Sequence, residues 1–464
     1  MARLFGTDGI RGIANADLST ELVDRVGRAA VHTLAPDGRG RFALGRDPRI
    51  SGDLLEAALT AAICSAGADV LRLGVVPTPG VAHLARELGV HAGIVISASH
   101  NPVEDNGVKF FATTGFKLPD AVEAAIERLL DSVQELPRPT GVAVGRVHEV
   151  ADASERYLDY VSRQARGSLA GWRIVLDCAN GATSRIAPLL WQRLGATVIA
   201  LHAAPDGTNI NAGCGSTHPE VIQAAVVAHG ADVGFAHDGD GDRVIAADRY
   251  GRLVDGDTIM GITALHRHAH GQLPGDLVVA TVMSNLGLEV ALGRAAIRLE
   301  RVRVGDRYVL ERMLETGARL GGEQSGHVIF LDHATTGDGM VTAVQLINVI
   351  LETGRALEEL RAPFVPYPQV LLNVRVVEPG RWADDPEIQR AIAHAESRMG
   401  GRGRVLVRAS GTEPLVRVMT ECEDADTAQQ IARSLSELVG RRLGGTLVGA
   451  PAQSTPNSGA AGGA

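Results

Sequence analysis

The chain has 464 residues, of which 45% are hydrophobic and 21% are charged, a composition typical of globular proteins with several domains. Its net charge of −9 and its aromatic content of 3% argue against a nucleic-acid-binding surface. No run of about 18 apolar residues is present, and the first eight residues contain no apolar signal core. We therefore expect a cytoplasmic protein without nucleic-acid or membrane partners, whose four cysteines are free thiols.

Strand-like and helix-like segments alternate through three successive parts of the chain. The predicted strands lie at residues 41–45, 69–73 and 93–96 in the first part, 173–177, 197–201 and 231–236 in the second, and 276–280, 297–302 and 318–321 in the third. Alternation of this kind predicts βαβ units with parallel pairing. After Pro363 the pattern changes to a smaller α+β arrangement.

This order predicts an α/β protein with three similar mixed α/β domains and a smaller α+β C-terminal domain. Its last residues are mostly Pro, Ser, Gly and Ala and predict a disordered tail. The boundaries that we predict are 1–150 for domain I, 151–255 for domain II, 256–367 for domain III, 368–445 for domain IV and 446–464 for the tail.

The apolar run at 93–96 ends abruptly in a polar loop that contains Ser99 and His100. Because Pro102 ends regular structure, and ligands bind at the carboxyl ends of strands in α/β sheets, we expect both side chains to be exposed there. A serine in that place can act as a nucleophile if a base or a cation activates it. The alternative is an ordinary strand-to-loop transition. Lys109, one of only two lysines in the chain, follows closely. It is either a proton-transfer group or a residue placed by chance on a surface turn.

Three aspartates alternate with glycines at Asp238, Asp240 and Asp242. In extended backbone, residues two apart point the same way, so the three carboxylates would face one point and repel unless a cation joins them. Oxygen ligands of this kind suit Mg²⁺. A calcium-binding EF-hand is excluded, because its required glycine and glutamate positions hold Arg243 and Arg249. An acidic turn without metal is the alternative, and Arg243 is a candidate phosphate contact.

The third part of the chain ends its last strand in another polar loop, where Glu323, Ser325 and His327 alternate. These side chains could hydrogen-bond the hydroxyls or the amine of a sugar, or could form a satisfied polar turn. Because the three loops occupy equivalent places in three similar domains, we expect them to converge on one cleft.

Two further segments could bind an anion. Between two predicted strands of the last domain, the sequence offers a guanidinium, two hydroxyls and backbone N–H groups around a glycine, and a second arginine follows. This pattern is typical of a phosphate-binding loop. The alternative interpretation is a plain hairpin turn. The residues concerned are Arg408, Ser410, Gly411, Thr412 and Arg417. Near the N-terminus, the glycine-rich segment 5–12 contains Arg11, which could face an anionic ligand.

Together these segments resemble the α-D-phosphohexomutase superfamily, and most closely its bacterial members that act on glucosamine phosphate. The matching motifs occur in the order of that family and span residues 3 to about 440. They are the segments 6–12, 97–102, 106–109, 238–243, 322–327 and 408–414.

The resemblance implies four domains around a central cleft and a phosphoserine at Ser99. It implies one Mg²⁺ per chain, held between that phosphate and the three aspartates. Phosphate would pass from Ser99 to the sugar monophosphate. The resulting 1,6-bisphosphate would reorient in the cleft and return its other phosphate to Ser99. The net reaction would interconvert glucosamine 6-phosphate and glucosamine 1-phosphate, with glucosamine 1,6-bisphosphate as primer, and would feed UDP-N-acetylglucosamine and cell-wall precursor synthesis.

The resemblance distributes the site residues among four roles. It implies catalysis by Ser99, His100, Lys109 and Arg11; metal binding by Ser99, Asp238, Asp240 and Asp242; substrate binding by Arg243, Gly305, Glu323, Ser325 and His327; and phosphate binding by Arg408, Ser410, Gly411, Thr412 and Arg417. It leaves the general base open between Lys109 and His100, and the oligomeric state open, with a homodimer among the options.

Three other functions fit the same motifs. The same chemistry could act on mannose or glucose phosphate. A metal-dependent sugar phosphatase would hydrolyse the phosphoserine instead of recycling it. A non-catalytic protein that binds a sugar phosphate is the third, although it would not need the serine, the three aspartates and the lysine.

Overall fold

The computed structural model describes residues 4–6, 8–37, 39–410 and 413–453. Contacts divide the chain into two compact units. The first contains the chain up to Thr281 together with Ile297–Ala362, and the second contains Val282–Ala296 and the chain from Pro363 onward. None of the helices in these described residues is long and apolar enough to cross a membrane.

Domain I contains a six-stranded sheet. Its strands are β1 (Ile10–Ile13), β2 (Arg41–Arg46), β3 (Asp69–Val75), β4 (Ala92–Ile96), β5 (Asp105–Ala112) and β6 (Val147–Glu149), and its helices are α1 (Thr20–Leu34), α2 (Ser51–Ser65), α3 (Thr78–Glu87) and α4 (Asp120–Leu129). The spatial order is β1-β5-β4-β2-β3-β6. Strand β2 is parallel to β3 and β4, whereas β5 is antiparallel to both β4 and β1.

Domain II contains a five-stranded sheet with the order β11-β10-β9-β7-β8. The elements are α5 (Ala153–Ser162), β7 (Arg173–Asp177), α6 (Ile186–Arg193), β8 (Thr197–Leu201), α7 (Pro219–His229), β9 (Val233–His237), β10 (Val244–Asp248) and β11 (Leu253–Val254). Strand β7 is parallel to β8 and β9, and β10 is antiparallel to β9.

Domain III contains a four-stranded sheet with the order β13-β12-β14-β15. The elements in chain order are α8 (Gly256–Ala269), β12 (Leu277–Thr281), α9 (Leu286–Arg294), β13 (Arg298–Val302), α10 (Asp306–Thr316), β14 (Leu320–Gly322), β15 (Val328–Phe330), α11 (Gly339–Thr353) and α12 (Leu357–Leu360). Strand β12 is parallel to β13 and β14, and β15 is antiparallel to β14.

The three sheets share one plan. In each, a central strand lies between two parallel neighbours, and the last of these parallel strands turns back into an antiparallel strand. The three turns, β4–β5, β9–β10 and β14–β15, therefore occupy equivalent places. They contain the serine loop, the three aspartates and the third polar loop, so the equivalence predicted from the sequence is confirmed.

Strand β4 is apolar throughout because both of its faces are covered. Ile94 lies in the core formed with α1 and α2, whereas the neighbouring Val95 lies in a separate core formed with α3. All five residues of β4 are buried. A strand buried on both faces reads as a continuous apolar run, which is why the run before the serine loop was recognisable.

The second unit contains an antiparallel sheet with the order β17-β18-β16-β19. Its elements are β16 (Gln369–Arg375), α13 (Pro386–Met399), β17 (Gly403–Ala409), β18 (Leu415–Cys422), α14 (Ala425–Leu443) and β19 (Thr446–Gln453). Val282–Ala296, the segment that carries α9, falls inside the predicted bounds of domain III, but its contacts assign it to this second unit. There Asn285 exchanges two hydrogen bonds with the backbone of Tyr367. Three α/β domains and an α+β domain confirm the predicted fold class.

The prediction of a disordered tail from residue 446 onward was wrong for the first eight of its residues. Strand β19 pairs antiparallel with β16, with Thr446 opposite Arg375 and Gln453 opposite Val370. The reason is that β16 offers its second edge for pairing, which tail composition cannot reveal. The remainder of the predicted tail, 454–464, lies outside the described residues.

Candidate active site

The three equivalent turns meet at a cavity of about 400 Å³ in the first unit. Its wall includes Asp8, Arg11, Ser99 and His100 from domain I, Asp242 and Arg243 from domain II, and Gly305, Asp306, Glu323 and His327 from domain III. The volume and the mixture of charges are typical of a site for a small polar ligand. The expected convergence of three loops on one cleft is therefore confirmed.

Ser99 is buried rather than exposed, contrary to the prediction, with only 1% of its surface accessible. Its backbone adopts a left-handed conformation with a φ of 53°, which is uncommon for a residue other than glycine. The hydroxyl donates to Oδ2 of Asp238 at 2.7 Å and lies 3.2 Å from Nδ1 of His100. Burial follows because the turn folds against domain II instead of facing water.

Two side chains hold the backbone of this turn. The fully buried guanidinium of Arg49 donates to the carbonyl oxygens of Ser99 at 3.0 Å and of Asn101 at 2.8 Å, and also to that of Pro102. The amide of Asn211, from domain II, donates to the carbonyl oxygens of Ser99 at 2.9 Å and Asn101 at 3.0 Å. Strained conformations persist when surrounding contacts determine them in this way.

The aspartates of the β9–β10 turn converge, although the turn is not the extended segment assumed from the sequence. One carboxylate oxygen from each of Asp238, Asp240 and Asp242 lies within 4.8 Å of the others, and all three residues are buried. A glycine at 239 is required, because a Cβ there would lie 2.6 Å from the carbonyl oxygen of Ser99. The turn is thus packed directly against the serine.

A cation fits this cluster of aspartates. The buried Oδ1 atoms of Asp240 and Asp242 accept no hydrogen bond from the residues that the structure describes. Burial and the neighbouring charges of Asp242 and Asp240 raise the pKa of Asp238 well above its ordinary value. Unsatisfied carboxylate oxygens that repel one another are the donor set that a hard divalent cation prefers.

Lys109 lies in strand β5 and not on a surface turn. Its ammonium contacts Oδ2 of Asp240 and Oδ2 of Asp8, both at 2.9 Å, and only 2% of the side chain is exposed. Burial favours the neutral amine, but Asp240 and Asp8 outweigh it and raise the pKa of Lys109 above its ordinary value. The group is therefore a fixed cation behind the cavity wall.

His100 has the opposite electrostatic environment. Burial, together with the nearby guanidiniums of Arg243 and Arg11, lowers the pKa of His100 to about 4. The imidazole is therefore neutral near pH 7 and able to accept a proton.

The loop from domain III forms a hydrogen-bonded cluster. Glu323 accepts from the backbone N–H of Gly305 at 3.2 Å and from the hydroxyl of Ser325 at 3.5 Å. Nδ1 of His327 lies 3.5 Å from Oδ2 of Asp242, so this loop contacts the aspartate turn. Ser325 contacts the wall residue Glu323 without forming part of the wall itself.

The described members of the predicted phosphate-binding set are Arg408, Ser410 and Arg417, and they lie on strands β17 and β18 or directly after β17. Arg408 and Arg417 are directly opposite each other in the two strands, and Nη2 of Arg417 lies 3.4 Å from the hydroxyl of Ser410. Burial and the charge of Arg417 lower the pKa of Arg408. Two facing guanidiniums repel, so an anion would stabilise the pair. Gly411 and Thr412 lie outside the described residues.

Family profiles cover all four domains. Those of the phosphoglucomutase/phosphomannomutase α/β/α domains I, II and III match residues 2–137, 155–251 and 255–367, and that of the C-terminal domain matches residues 371–438. The chain belongs to the phosphoglucomutase/phosphomannomutase family. A curated phosphoglucosamine mutase from Moorella thermoacetica is 58% identical over 440 residues, which are 94% of this chain and 99% of that protein.

Further relatives agree with this membership of the phosphoglucomutase/phosphomannomutase family. A phosphoglucosamine mutase from Desulforamulus reducens is 54% identical over 442 residues, covering 95% of this chain and 100% of that protein. A crystal structure of a phosphoglucomutase/phosphomannomutase family protein from Burkholderia thailandensis is 24% identical and covers 96% of this chain and 99% of its own, with a TM-score of 0.80. This likeness supports the fold.

Several residues of the site in this chain were not predicted from its sequence. Arg49 and Asn211 support the serine turn, Thr78 donates to Asp240 at 2.6 Å, and Lys117 bonds Asp306 at 2.5 Å. Arg49 could have been found, because it follows strand β2 at the same sheet edge as the serine loop. The contacts of the others depend on how separate domains pack, which no local pattern reveals.

Proposed function

We propose that the protein is an isomerase that interconverts α-D-glucosamine 6-phosphate and α-D-glucosamine 1-phosphate through a phosphoserine and a 1,6-bisphosphate. One observation carries the proposal. A serine hydroxyl on the wall of a cavity lined by both carboxylates and guanidiniums lies 2.7 Å from Asp238, in a buried group of aspartates suited to a divalent cation. The near full-length identity to curated phosphoglucosamine mutases supports the choice of substrate.

The residues around Ser99 fit phosphoryl transfer. Such transfer needs positioning and neutralisation of charge more than covalent help. In our proposal Ser99 carries the phosphate, and Arg11 and Arg243, on the cavity wall, offset the negative charge that passes to and from the sugar. We assign to Asp238, Asp240 and Asp242, with the phosphate of Ser99, the binding of one Mg²⁺, which when bound would stabilise charge on the transferring group.

The proton from the attacking sugar hydroxyl needs an acceptor. We propose His100 for this role, because its imidazole is neutral, faces the cavity and lies 3.2 Å from the serine hydroxyl. Lys109 is held as an ammonium between Asp8 and Asp240, which suits it to stabilise charge rather than to accept a proton. Positioned proton transfer is typically worth about 10²- to 10⁴-fold in rate.

The loop from domain III fits the sugar. The carboxylate of Glu323 lies on the cavity wall and can pair with the ammonium of glucosamine, while its contacts with Gly305 and Ser325 hold it in place. His327 also lies on the wall, where its Nδ1 faces Asp242 and its Nε2 accepts from the backbone N–H of Gly337, so the ring orders this side of the cavity. We assign substrate binding to this set together with Arg243.

The C-terminal hairpin supplies a separate anion site in this proposal. We assign phosphate binding to Arg408, Ser410, Gly411, Thr412 and Arg417, because the two arginines face each other across the strands.

A bisphosphate of glucosamine would serve as primer, since a dephosphorylated Ser99 must regain phosphate before it can act. The product would feed UDP-N-acetylglucosamine synthesis. The four cysteines are free, which suits the cytoplasm, our proposed compartment.

A comparison of substrates tests the proposal. The purified protein is loaded with Mg²⁺, and kcat/KM is measured on the 6-phosphates of glucosamine, glucose and mannose, each primed with its 1,6-bisphosphate. We expect a preference of about a hundredfold or more for the amino sugar, which corresponds to about 2.7 kcal/mol of transition-state binding. Equal or faster turnover of glucose or mannose phosphate would contradict the substrate assignment.

Two controls separate the chemistry from the specificity. Glu323→Gln keeps the size of the side chain and removes its charge, so the preference for the amino sugar should fall while turnover of glucose phosphate persists. Release of inorganic phosphate without isomer formation, and without need of a primer, would identify a phosphatase instead.

A further inference from the structure

The only two lysines of the chain meet at the same carboxylate. Both Lys109 and Lys117 contact Asp8, and Lys117 also bonds Oδ2 of Asp306 at 2.5 Å. Lys109 in turn contacts Asp240 at 2.9 Å. Carboxylates and ammoniums therefore alternate from the aspartate turn of domain II, through domain I, to the start of α10 in domain III.

Lys117 lies between Asp8 and Asp306 in this chain of contacts and is itself held firmly. It pairs as a β-bridge with Phe111 just after strand β5, and only 10% of its side chain is exposed. Asp306 lies in the first turn of α10, where the helix dipole favours a carboxylate. Both partners of Lys117, Asp8 and Asp306, line the cavity, but Lys117 does not form part of the cavity wall.

We propose that Lys117 is a positioning residue for the phosphoryl transfer: by fixing Asp8 against Asp306 it holds the ammonium of Lys109 beside Asp240. This inference rests on the proposed function. Asp8 is shared by Lys109, Lys117 and Arg11. Without Lys117, the carboxylate of Asp8 is balanced by Lys109 and Arg11 alone and is free to turn toward them.

The expected consequence is a displaced Lys109. When Asp8 turns toward Lys109, it draws the ammonium away from Asp240 and so away from the aspartate turn. An error of about 1 Å in a positioned group can cost about 10²-fold in rate. In the proposed function the sugar is bound by other residues, so KM should change less than kcat.

Variants of Lys117 test this role against a purely structural one. For Lys117→Met we expect kcat to fall by about 10- to 100-fold with KM within about threefold of the wild type. Lys117→Arg keeps the charge and can reach both carboxylates, so its kcat should recover to within about fivefold of the wild type. If Lys117→Met does not fold, Lys117→Gln replaces it, because it removes the charge and keeps hydrogen-bonding groups.

A matched control removes a different contact between the same two domains. Thr335 of domain III donates to the carbonyl oxygen of Gly115 at 2.5 Å, only two residues before Lys117. Thr335→Val has the same shape without that hydrogen bond, so it should lower the melting temperature and leave kcat and KM within about twofold. A Lys117→Met enzyme that behaves like Thr335→Val, less stable but equally fast, would overturn the proposal.

A crystal structure of Lys117→Met gives a second measurement that does not depend on turnover. We expect the distance from Nζ of Lys109 to Oδ2 of Asp240 to lengthen beyond 3.5 Å from its present 2.9 Å. An unchanged distance would overturn the inference. If the wild type turns over none of the hexose phosphates, the proposed function fails, and this distance still decides the role of Lys117.

Discussion

The hydroxyl of Ser99, in domain I, donates a 2.7 Å hydrogen bond to Oδ2 of Asp238, in domain II. The proposed nucleophile and the aspartates are therefore in direct contact. The left-handed backbone of Ser99 and the close approach of Gly239 bring the two turns together. A phosphate on Ser99 would thus be attached directly beside the three carboxylates, where only a cation can make three carboxylates and a phosphate compatible.

Ser99→Ala should abolish turnover while leaving the fold intact. The variant removes the atom that carries phosphate in our proposal, so kcat should fall by about 10⁴-fold or more. Incubation with ³²P-labelled bisphosphate should label the wild type and not the variant. As a control, Ser397→Ala at an exposed serine of α13 should label and react normally. Labelling of Ser99→Ala would place the phosphate on another residue.

Arg49→Met should destabilise the first unit and slow turnover. The buried guanidinium pairs with the buried Asp47 at 3.0 Å, and removing it leaves that carboxylate without its cation. Breaking a buried pair in this way typically costs about 3–5 kcal/mol of unfolding free energy. The turn at Ser99 also loses its main support, so kcat should fall. Urea denaturation and steady-state kinetics measure the two effects.

The double variant Asp47→Asn/Arg49→Met separates them. Removing the charge of Asp47 relieves the uncompensated carboxylate, so the double variant should be more stable than Arg49→Met alone. Turnover should stay low, since the carbonyl oxygens of Ser99 and Asn101 still lack the guanidinium donor of Arg49 and keep only the amide of Asn211. Recovery of turnover together with stability would mean that Arg49 does not position the turn.

The sequence predicted the fold class and the loops but not their depth. Strand β4 was recognisable because burial on both faces makes it continuously apolar. The expected exposure of Ser99 was wrong. A polar loop after a strand is expected to face water, whereas here Asn211 and Gly239 of another domain cover the serine. Local patterns describe one domain at a time, and this site is made where domains meet within the first unit.

Lys109 shows the same limit. Its neighbours Asn106 and Gly107 suggest a turn, but the segment is strand β5, paired with both β4 and β1. Pairing on two sides outweighs the turn preference of these two residues. Lys109 has two partners, Asp8 and Asp240. Asp8 precedes it and Asp240 follows it, each by about a hundred positions or more, so only the structure shows that they meet.

Mg²⁺ should stabilise the folded protein through the aspartates. Binding to the folded state alone adds about 2.7 kcal/mol when the metal is at a hundred times its Kd. We expect Mg²⁺ to raise the melting temperature of the wild type and to have little effect on Asp242→Asn, which loses one of the carboxylates that converge there. Asp105→Asn, a nearby carboxylate outside this group, serves as the control and should respond like the wild type. An equal response of Asp242→Asn would contradict the site.

Asp338 should make stability depend on pH. Burial raises the pKa of this carboxyl to about 6, although it accepts hydrogen bonds from Tyr157 and the backbone N–H of Val341. The folded state therefore binds the proton more tightly than the unfolded state, whose pKa is near 3.8. The stabilisation is complete below about pH 3.8 and is lost as pH rises through about 6.

Asp338→Asn cannot titrate and should not show this loss. Between pH 4 and 8 its unfolding free energy should gain up to about 3 kcal/mol relative to the wild type. Thermal denaturation across that range measures the difference. Asp131→Asn, at a carboxylate that is 67% exposed, should follow the wild type at every pH. A constant difference between Asp338→Asn and the wild type would show that Asp338 does not titrate in this range.

Phosphorylation of Ser99 should raise the pKa of His100. In the unmodified protein, burial and the guanidiniums of Arg243 and Arg11 lower this pKa to about 4. A phosphate on Ser99 would lie beside Nδ1 of His100, which is 3.2 Å from the hydroxyl, and would also neutralise the two guanidiniums. An opposite charge at this distance typically favours the charged form by about 1–3 pKa units.

Nuclear magnetic resonance of ¹⁵N-labelled histidines measures both states, with His100→Gln to assign the signal. We expect the imidazole to titrate near pH 4 in the dephosphorylated protein and about 1–3 units higher after phosphorylation. The rise would bring the base closer to the working pH, where a proton acceptor is most effective. A pKa that stays the same after phosphorylation would mean that the phosphate does not lie next to His100, and His100 would then lose its proposed role.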